Sequence, residues 1–309
     1  MRKLIIGTRG SKLALWQAEL VKYLLKKRYH TIEIELKIIK TKGDKIIDVP
    51  LAKVGGKGLF VKEIENELQE KKIDLAVHSL KDVPAELPDD LHLQSIMKRE
   101  NPYDALISKD GKQLDDLPEG ASVGTSSLRR KAQIKDYRKD LVIEDLRGNL
   151  DTRLKKLYQG TFDAIILAAA GLVRMGWEDK ISQYLSPTIC LPAIGQGALG
   201  IETRKDDIET NQIVSTLNDE ETATIVRAER GFLKRLLGGC QVPIAAFCTL
   251  SHDTLTLQGL VGKTDGSKIL KDEIIGDIHH PEDLGTTLAE RLLHKGAREI
   301  LEEVYGKTL

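Results

Sequence analysis

Over its first two thirds the chain alternates short apolar runs of strand length with stretches of helical periodicity, and this alternation restricts the fold more than any other feature. Residues 2–7, 32–41, 75–79, 122–125, 141–145 and 164–168 read as strands. Residues 11–27 place Leu13, Trp16, Leu20 and Leu24 near one helical face, and residues 58–71 do the same with Leu59, Ile64 and Leu68. Further helices are expected to start near Leu128 and Asn149. Strands separated by helices imply an α/β fold with largely parallel sheets, because a parallel neighbour needs a crossover long enough to hold a helix. Beyond this region a helix over 220–237 stops at Gly238-Gly239. Residues 242–250, 254–261 and 268–275 then read as an antiparallel meander, with Asp265-Gly266 as a hairpin signal. A final helical stretch over 281–305 carries an interruption at Gly296. A chain of 309 residues exceeds what one core usually serves, so two or three domains are expected, with boundaries near 99–103 and 186–200.

Composition removes several functions. Forty-seven Lys and Arg balance 47 Asp and Glu, whereas nucleic-acid binding favours a basic excess. Aromatic residues at 4% are too sparse for a base-stacking platform. Cys190, Cys240 and Cys248 form no C-x-x-C pair and the seven histidines no H-E-x-x-H, so neither disulfides nor a metal is expected. No apolar run approaches the ~18 residues of a membrane span. The N-terminal apolar stretch is only Leu4-Ile5-Ile6, too short for a signal peptide, and a cytoplasmic protein is expected.

Cations stand where helices disfavour them. Arg129 and Arg130 fall in the opening turn of a helix behind the capping candidates Thr125, Ser126 and Ser127. Arg9 precedes the N-cap candidate Ser11, Arg147 follows a strand, Arg153 lies in the next helix, and Lys57 and Lys81 sit at similar junctions. A cation in a first helical turn opposes the dipole by ~0.3–1 kcal/mol. Ligands of open α/β sheets bind beyond the carboxyl ends of strands, where Arg supplies paired donors for carboxylate or phosphate. One such arginine is an ordinary solvated loop residue. The repetition in a chain of zero net charge points to a cleft for a ligand with several negative groups. Asp82, in a turn after a strand, reads alone as a self-bonded turn residue. Within a cationic cleft it would instead repel the ligand and stabilise positive charge formed during reaction. Cys190 and Cys248, among apolar neighbours, read as buried thiols, while Cys240 beside two glycines reads as accessible. Gly195 to Gly200 matches G-x-G-x-x-G, but Pro192 and the absence of a following helix favour a flexible crossover over a dinucleotide site.

The strings GTRGSKLALWQ, KGDK, GGKGLFVKEIE, DLAVHSLKDVP, GTSSLRRKAQI, LRGNLDTRL, ILAAAGLVRMG, LPAIGQGALGIE and LGGCQVPIAAF occur in this order. Through them the chain, from Ile5 to Ala246, resembles the porphobilinogen deaminases, or hydroxymethylbilane synthases. The resemblance implies two α/β domains like those of periplasmic binding proteins and a C-terminal α+β domain with an antiparallel sheet. The expected divisions are 1–98 with 195–217, 99–194, and 218–309. It implies a transferase of haem biosynthesis that joins four porphobilinogen molecules head to tail with loss of ammonia. The implied primer is a dipyrromethane cofactor bound through a thioether to Cys240. By motif position Asp82 is the catalytic residue, and Lys81, Thr125, Ser127, Arg129, Arg130 and Arg147 bind the cofactor. Arg9, Ser11, Arg147, Arg153 and Gln196 bind substrate, and Lys57 and Phe60 belong to a mobile loop. A monomer without nucleic-acid or membrane partners is implied. The competing reading is a non-catalytic two-lobed binder of polycarboxylates.

Overall fold

The computed structural model describes residues 3–45, 58–237 and 242–306. These form two compact units: residues 3–45, 58–100 and 197–223 in one, and 101–196, 224–237 and 242–306 in the other.

The first unit holds a five-stranded sheet of β1 (Lys3–Thr8), β2 (Glu33–Ile38), β3 (Leu75–Ser79), β4 (Leu91–Ile96) and β10 (Leu199–Arg204), in the order β2-β1-β3-β10-β4. Helix α1 (Lys12–Arg28) buries Ala18, Val21 and Leu25 against Leu4 and Ile6. Helix α2 (Lys62–Gln69) buries Ile64 and Leu68 with Ile73 and Ala76 in a second cluster. Apolar layers on both faces suit the central β1 and β3, whereas β2, at the sheet edge, keeps the alternation its sequence shows.

The second unit repeats the plan with β5 (Asp104–Ser108), β6 (Ser122–Gly124), β7 (Val142–Glu144), β8 (Ala164–Ala168) and β9 (Gln183–Leu185), in the order β7-β6-β8-β5-β9. Its helices are α3 (Leu128–Tyr137), α4 (Leu150–Tyr158) and α5 (Ala169–Arg174). After α6 (Ile208–Ser215) and α7 (Glu220–Arg235), an antiparallel meander runs through β11 (Ile244–Ser251), β12 (Thr254–Gly262) and β13 (Ile269–Asp277). Helices α8 (Pro281–Leu292) and α9 (Arg298–Tyr305) cover it around the fully buried Phe232. The helical break falls at Gly296, with φ of 103°. Architecturally the chain is two α/β domains followed by an α+β domain with an antiparallel sheet.

Two expectations need correction. The α/β sheets are mixed rather than largely parallel. In the first, β10 runs antiparallel to both β3 and β4; in the second, β5 runs antiparallel to both β8 and β9. Each reversed strand is the first one after the chain changes unit, so no crossover helix precedes it and the rule that makes neighbours parallel does not act. The Gly195–Gly200 segment is not a flexible crossover, because every residue in it is buried. Gly195 N–H donates to Glu229 Oε2 at 2.7 Å, and a Cβ on Gly197, whose φ is +91°, would strike the Glu100 carbonyl. Those glycines serve close backbone approach. Among the described residues no helix is long and apolar enough to cross a membrane.

The core of the first unit contains charge. His78 Nε2 meets Glu202 Oε2 at 2.9 Å with both side chains buried, and Glu65 of α2 lies buried nearby. Burial, reinforced by the Glu202 carboxylate, pushes the Glu65 carboxyl up from 4.5 to about 7. A carboxyl with a raised folded pKa holds its proton more tightly in the native state, so stability falls as pH climbs from 4.5 to about 7. Glu65→Gln should therefore stabilise the protein by about 1–3 kcal/mol at about pH 8 and far less at about pH 5. Urea unfolding at the two pH values measures this; equal effects at both would contradict it. In the C-terminal domain, Gly285 of α8 packs on the backbone of α7, where an added Cβ would overlap the Ala228 carbonyl and Phe232 nitrogen. Gly285→Ala should cost about 1–3 kcal/mol through helix separation, read as a lowered Tm.

Candidate active site

In each α/β sheet the parallel strands bring their following turns to one end. In the first unit β1 and β3 are parallel neighbours, with Ile6 opposite Leu75 and Gly7 opposite Ala76. The turn after β1 carries Arg9 and Ser11, and the turn after β3 carries Lys81 and Asp82. Those residues thus occupy one sheet end.

Ser11 is the N-cap of α1, its Oγ accepting from Ala14 N at 3.2 Å. The hydroxyl proton can still be donated. Arg9 is half-buried and donates through Nε to Asp44 Oδ1 at 3.1 Å, with a second, closer contact from Nη2. Its guanidinium lies 4.2 Å from the centroid of the Phe60 ring, a cation–π contact. Asp44 is held by Thr41 Oγ1 at 2.8 Å. Burial alone would raise its pKa, but hydrogen bonds from Arg9 and Thr41 outweigh that and lower it. Asp44 therefore fixes the Arg9 head group as a charged partner.

Asp82 ends a single 3-10 turn, Leu80–Asp82, and is half-buried beside the exposed Lys81. The turn is pinned on both sides. Leu80 N donates to Ala198 O at 3.0 Å and Val83 N to Leu80 O at 3.1 Å. Ser79 exchanges hydrogen bonds with the buried Gln17 amide, at 3.0 and 3.2 Å. A carboxylate carried on so short and well-anchored a turn keeps a fixed direction.

In the second unit β7, β6 and β8 are parallel, so the turns after β6 and β7 also leave one sheet end. The first carries Thr125, Ser126 and Ser127 into α3. Thr125 is buried and its Oγ1 accepts from Ser127 N at 3.2 Å, while Ser127 occupies the N-cap without a side-chain capping bond. The second carries Arg147, half-buried, and then α4, whose N-cap Asn149 also makes no side-chain capping bond. Arg153 Nε donates to Gly148 O at 2.8 Å.

Arg129 and Arg130 lie in the opening turn of α3, as the sequence suggests, and are not solvated. Both are buried and both bind Asp104. Arg129 donates to its two oxygens at 2.6 and 3.2 Å, and Arg130 donates twice to Oδ1 at 3.0 and 2.7 Å. Gln196 Nε2 reaches the same oxygen at 3.0 Å and Pro102 O at 2.7 Å. Burial alone would raise the Asp104 pKa, but the two guanidinium groups overwhelm it and drive it far below the usual carboxylate range. Cys190 and Cys248 are buried thiols, and burial pushes Cys190 up to about 12. Cys240 and Lys57 lie outside the described residues. Sequence reasoning did not single out Asp104 or Asp44. The available signal was electrostatic, since adjacent arginines in a helix's opening turn require a carboxylate once buried.

The model of the porphobilinogen deaminase dipyromethane cofactor binding domain matches residues 4–212, and that of the porphobilinogen deaminase C-terminal domain matches residues 223–294. The chain is 56% identical over 306 residues to the porphobilinogen deaminase of Geobacter metallireducens, covering 99% of this chain and 96% of that one. It is 56% identical over 307 residues to that of Maridesulfovibrio salexigens, covering 99% and 100%, and 52% identical over 304 residues to that of Syntrophobacter fumaroxidans, covering 98% of each. A distant likeness exists to a TRAP periplasmic solute binding protein from Desulfovibrio salexigens, with a TM-score of 0.44, 11% identity, and 72% and 73% of the two chains covered. With family models spanning both its α/β and C-terminal regions and relatives matching it end to end, the chain belongs to the porphobilinogen deaminase family.

Proposed function

We propose that this chain, a transferase of tetrapyrrole and haem biosynthesis that condenses four porphobilinogen molecules into hydroxymethylbilane, works through Asp82 as its catalytic carboxylate and Cys240 as its covalent anchor. The observation that carries the assignment of Asp82 is its placement: a half-buried carboxylate on a pinned turn at the carboxyl end of a parallel strand, on the sheet end that also carries Arg9.

Each porphobilinogen brings an acetate and a propionate. Arg9, Ser11, Arg147, Arg153 and Gln196 bind these carboxylates on the substrate, the arginines through charge-assisted bonds. Loss of ammonia leaves positive charge at the pyrrole nitrogen. Asp82 accepts a hydrogen bond from the pyrrole N–H, stabilises that charge and aids proton transfer. Its repulsion of the bound anion is offset only when the cation forms, which is differential binding of the transition state.

The family's dipyrromethane is held by Cys240 through a thioether, with Lys81, Thr125, Ser127, Arg129, Arg130 and Arg147 on its carboxylates. When bound, that group supplies the nucleophilic ring carbon from which the product grows. The residues suit such a polyanion. Ser127 begins α3 without a side-chain capping bond of its own, which suits a helix start that receives carboxylate oxygens. Phe60 stacks on Arg9, and the family's mobile loop, to which Lys57 and Phe60 belong by motif position, is proposed to adjust to the substrate. The protein acts as a cytoplasmic monomer on a small-molecule substrate, without nucleic-acid or membrane partners.

Intact-mass measurement after expression with substrate available should exceed the sequence mass by two linked pyrrole units, with the addition mapping to the Cys240 peptide. Cys240→Ser should lack it. An unmodified wild-type mass would favour a plain polycarboxylate binder. Asp82→Asn should keep the added mass but lose turnover by about 100-fold or more, measured as porphobilinogen consumption. Near-normal turnover would remove Asp82 from its role.

A further inference from the structure

Asp104 opens β5, which runs antiparallel to β8 with Asp104 opposite Ala168, the last residue of that strand. Asp104 thus stands at the sheet end where the Thr125–Arg130 turn emerges. It is fully buried and receives side-chain donors from four residues: Arg129, Arg130, Gln196 and Cys190, whose Sγ lies 3.2 Å from Oδ2. Arg129 also donates to Leu191 O at 2.6 Å and Arg130 to Ile166 O at 3.0 Å. Of the five N–H donors of the Arg130 guanidinium, these bonds use three.

We propose that Asp104 is a positioning residue for the anion-binding arginines. It orients Arg129 and Arg130 before any ligand arrives and cancels one of their two charges. The inference rests on the reading that these arginines bind cofactor carboxylates. Two adjacent guanidinium groups buried in the first turn of α3 repel one another and oppose the helix dipole. Without a buried anion neither would hold a single rotamer or stay out of water. With Asp104 the group carries one net positive charge, which suits a single carboxylate bound against the remaining N–H donors. Bidentate and shared bonds to one carboxylate fix the planes of both guanidinium groups, so binding does not need to order them.

The test uses the unloaded Cys240→Ser chain and the loaded wild type. In the unloaded chain the Arg130 Nε–H, which donates to Asp104, should exchange with water at least tenfold more slowly than that of the exposed Arg28, and loading should change it little. If Arg130 exchanges as fast as Arg28 until the pyrroles are attached, the ligand orders the arginine and the inference fails. This readout does not depend on a variant folding. In a second arm, the folded fraction of Asp104→Asn should acquire the cofactor mass at least fivefold more slowly than wild type. Cys190→Ala, which removes a donor to Asp104 but no charge, should load within twofold of wild type. Equal loading by Asp104→Asn, or equal impairment by Cys190→Ala, would mean that Asp104 only packs the core. Arg130→Lys separates the two levels. Should it load normally, the ligand role of the arginine falls; should it load poorly while Asp104→Asn loads well, only the positioning role falls.

Discussion

Burying positive charge at the start of a helix is the constraint around which the second unit is arranged. Arg129 and Arg130 enter α3 in its first turn, where the dipole penalises them by ~0.3–1 kcal/mol each even in solvent. Buried, they would cost several kcal/mol more without an anion. Asp104 supplies that anion, and its position follows from the reversal of β5, which brings the start of this strand to the carboxyl end of β8. A parallel β5 would have put the same carboxylate at the opposite end of the sheet. The mixed sheet and the cation pair are therefore linked. The first unit solves a milder version of the problem, pairing the half-buried Arg9 with Asp44 and stacking it on Phe60.

The carboxylate proposed here as catalytic, Asp82, differs in its bonding from the carboxylates that partner the cations. Asp104 and Asp44 are committed to arginines, whereas Asp82 stands on a turn whose backbone is anchored through Leu80 and Ser79. The division separates two uses of negative charge. One set of carboxylates fixes cations; Asp82 instead rides on a turn whose backbone is anchored by neutral hydrogen bonds, which suits the role proposed for it.

Much of this was legible in the sequence, and the failures have physical reasons. Strands β3 and β8 were readable to the residue because apolar layers cover both faces, so each is built on a compact apolar run, Leu75 to Val77 and Ala164 to Ala168. Strands β4, β5, β9 and β10 escaped the reading. β10 contains Glu202, Thr203 and Arg204, all buried and each bonded to at least one partner that a local pattern does not reveal. β5 opens with Asp104 after Asn101-Pro102-Tyr103, which reads as a turn. Ser11 was legible as a cap because capping is local. The burial of Arg129 and Arg130 was not, because it depends on a carboxylate 25 positions away in sequence.

The same reasoning accounts for the G-x-G-x-x-G string without a nucleotide. The chain changes unit near residues 100 and 196, and each crossing is held by polar contacts from the other. Gln196 Nε2 donates to Pro102 O, and Glu100 N donates to Gly197 O at 3.1 Å. Glu229 adds a buried carboxylate, accepting from Gly195 N at 2.7 Å and from Cys248 N at 3.0 Å, which ties the second crossing to β11. Backbones this close leave no room for a Cβ at Gly197, so the motif's glycines answer to chain packing rather than to a phosphate. Because Gln196 bonds both Pro102 and Asp104, the crossing and the arginine pair form one hydrogen-bonded network. The position of the Arg129 and Arg130 guanidinium groups is thereby tied to the path of the backbone itself.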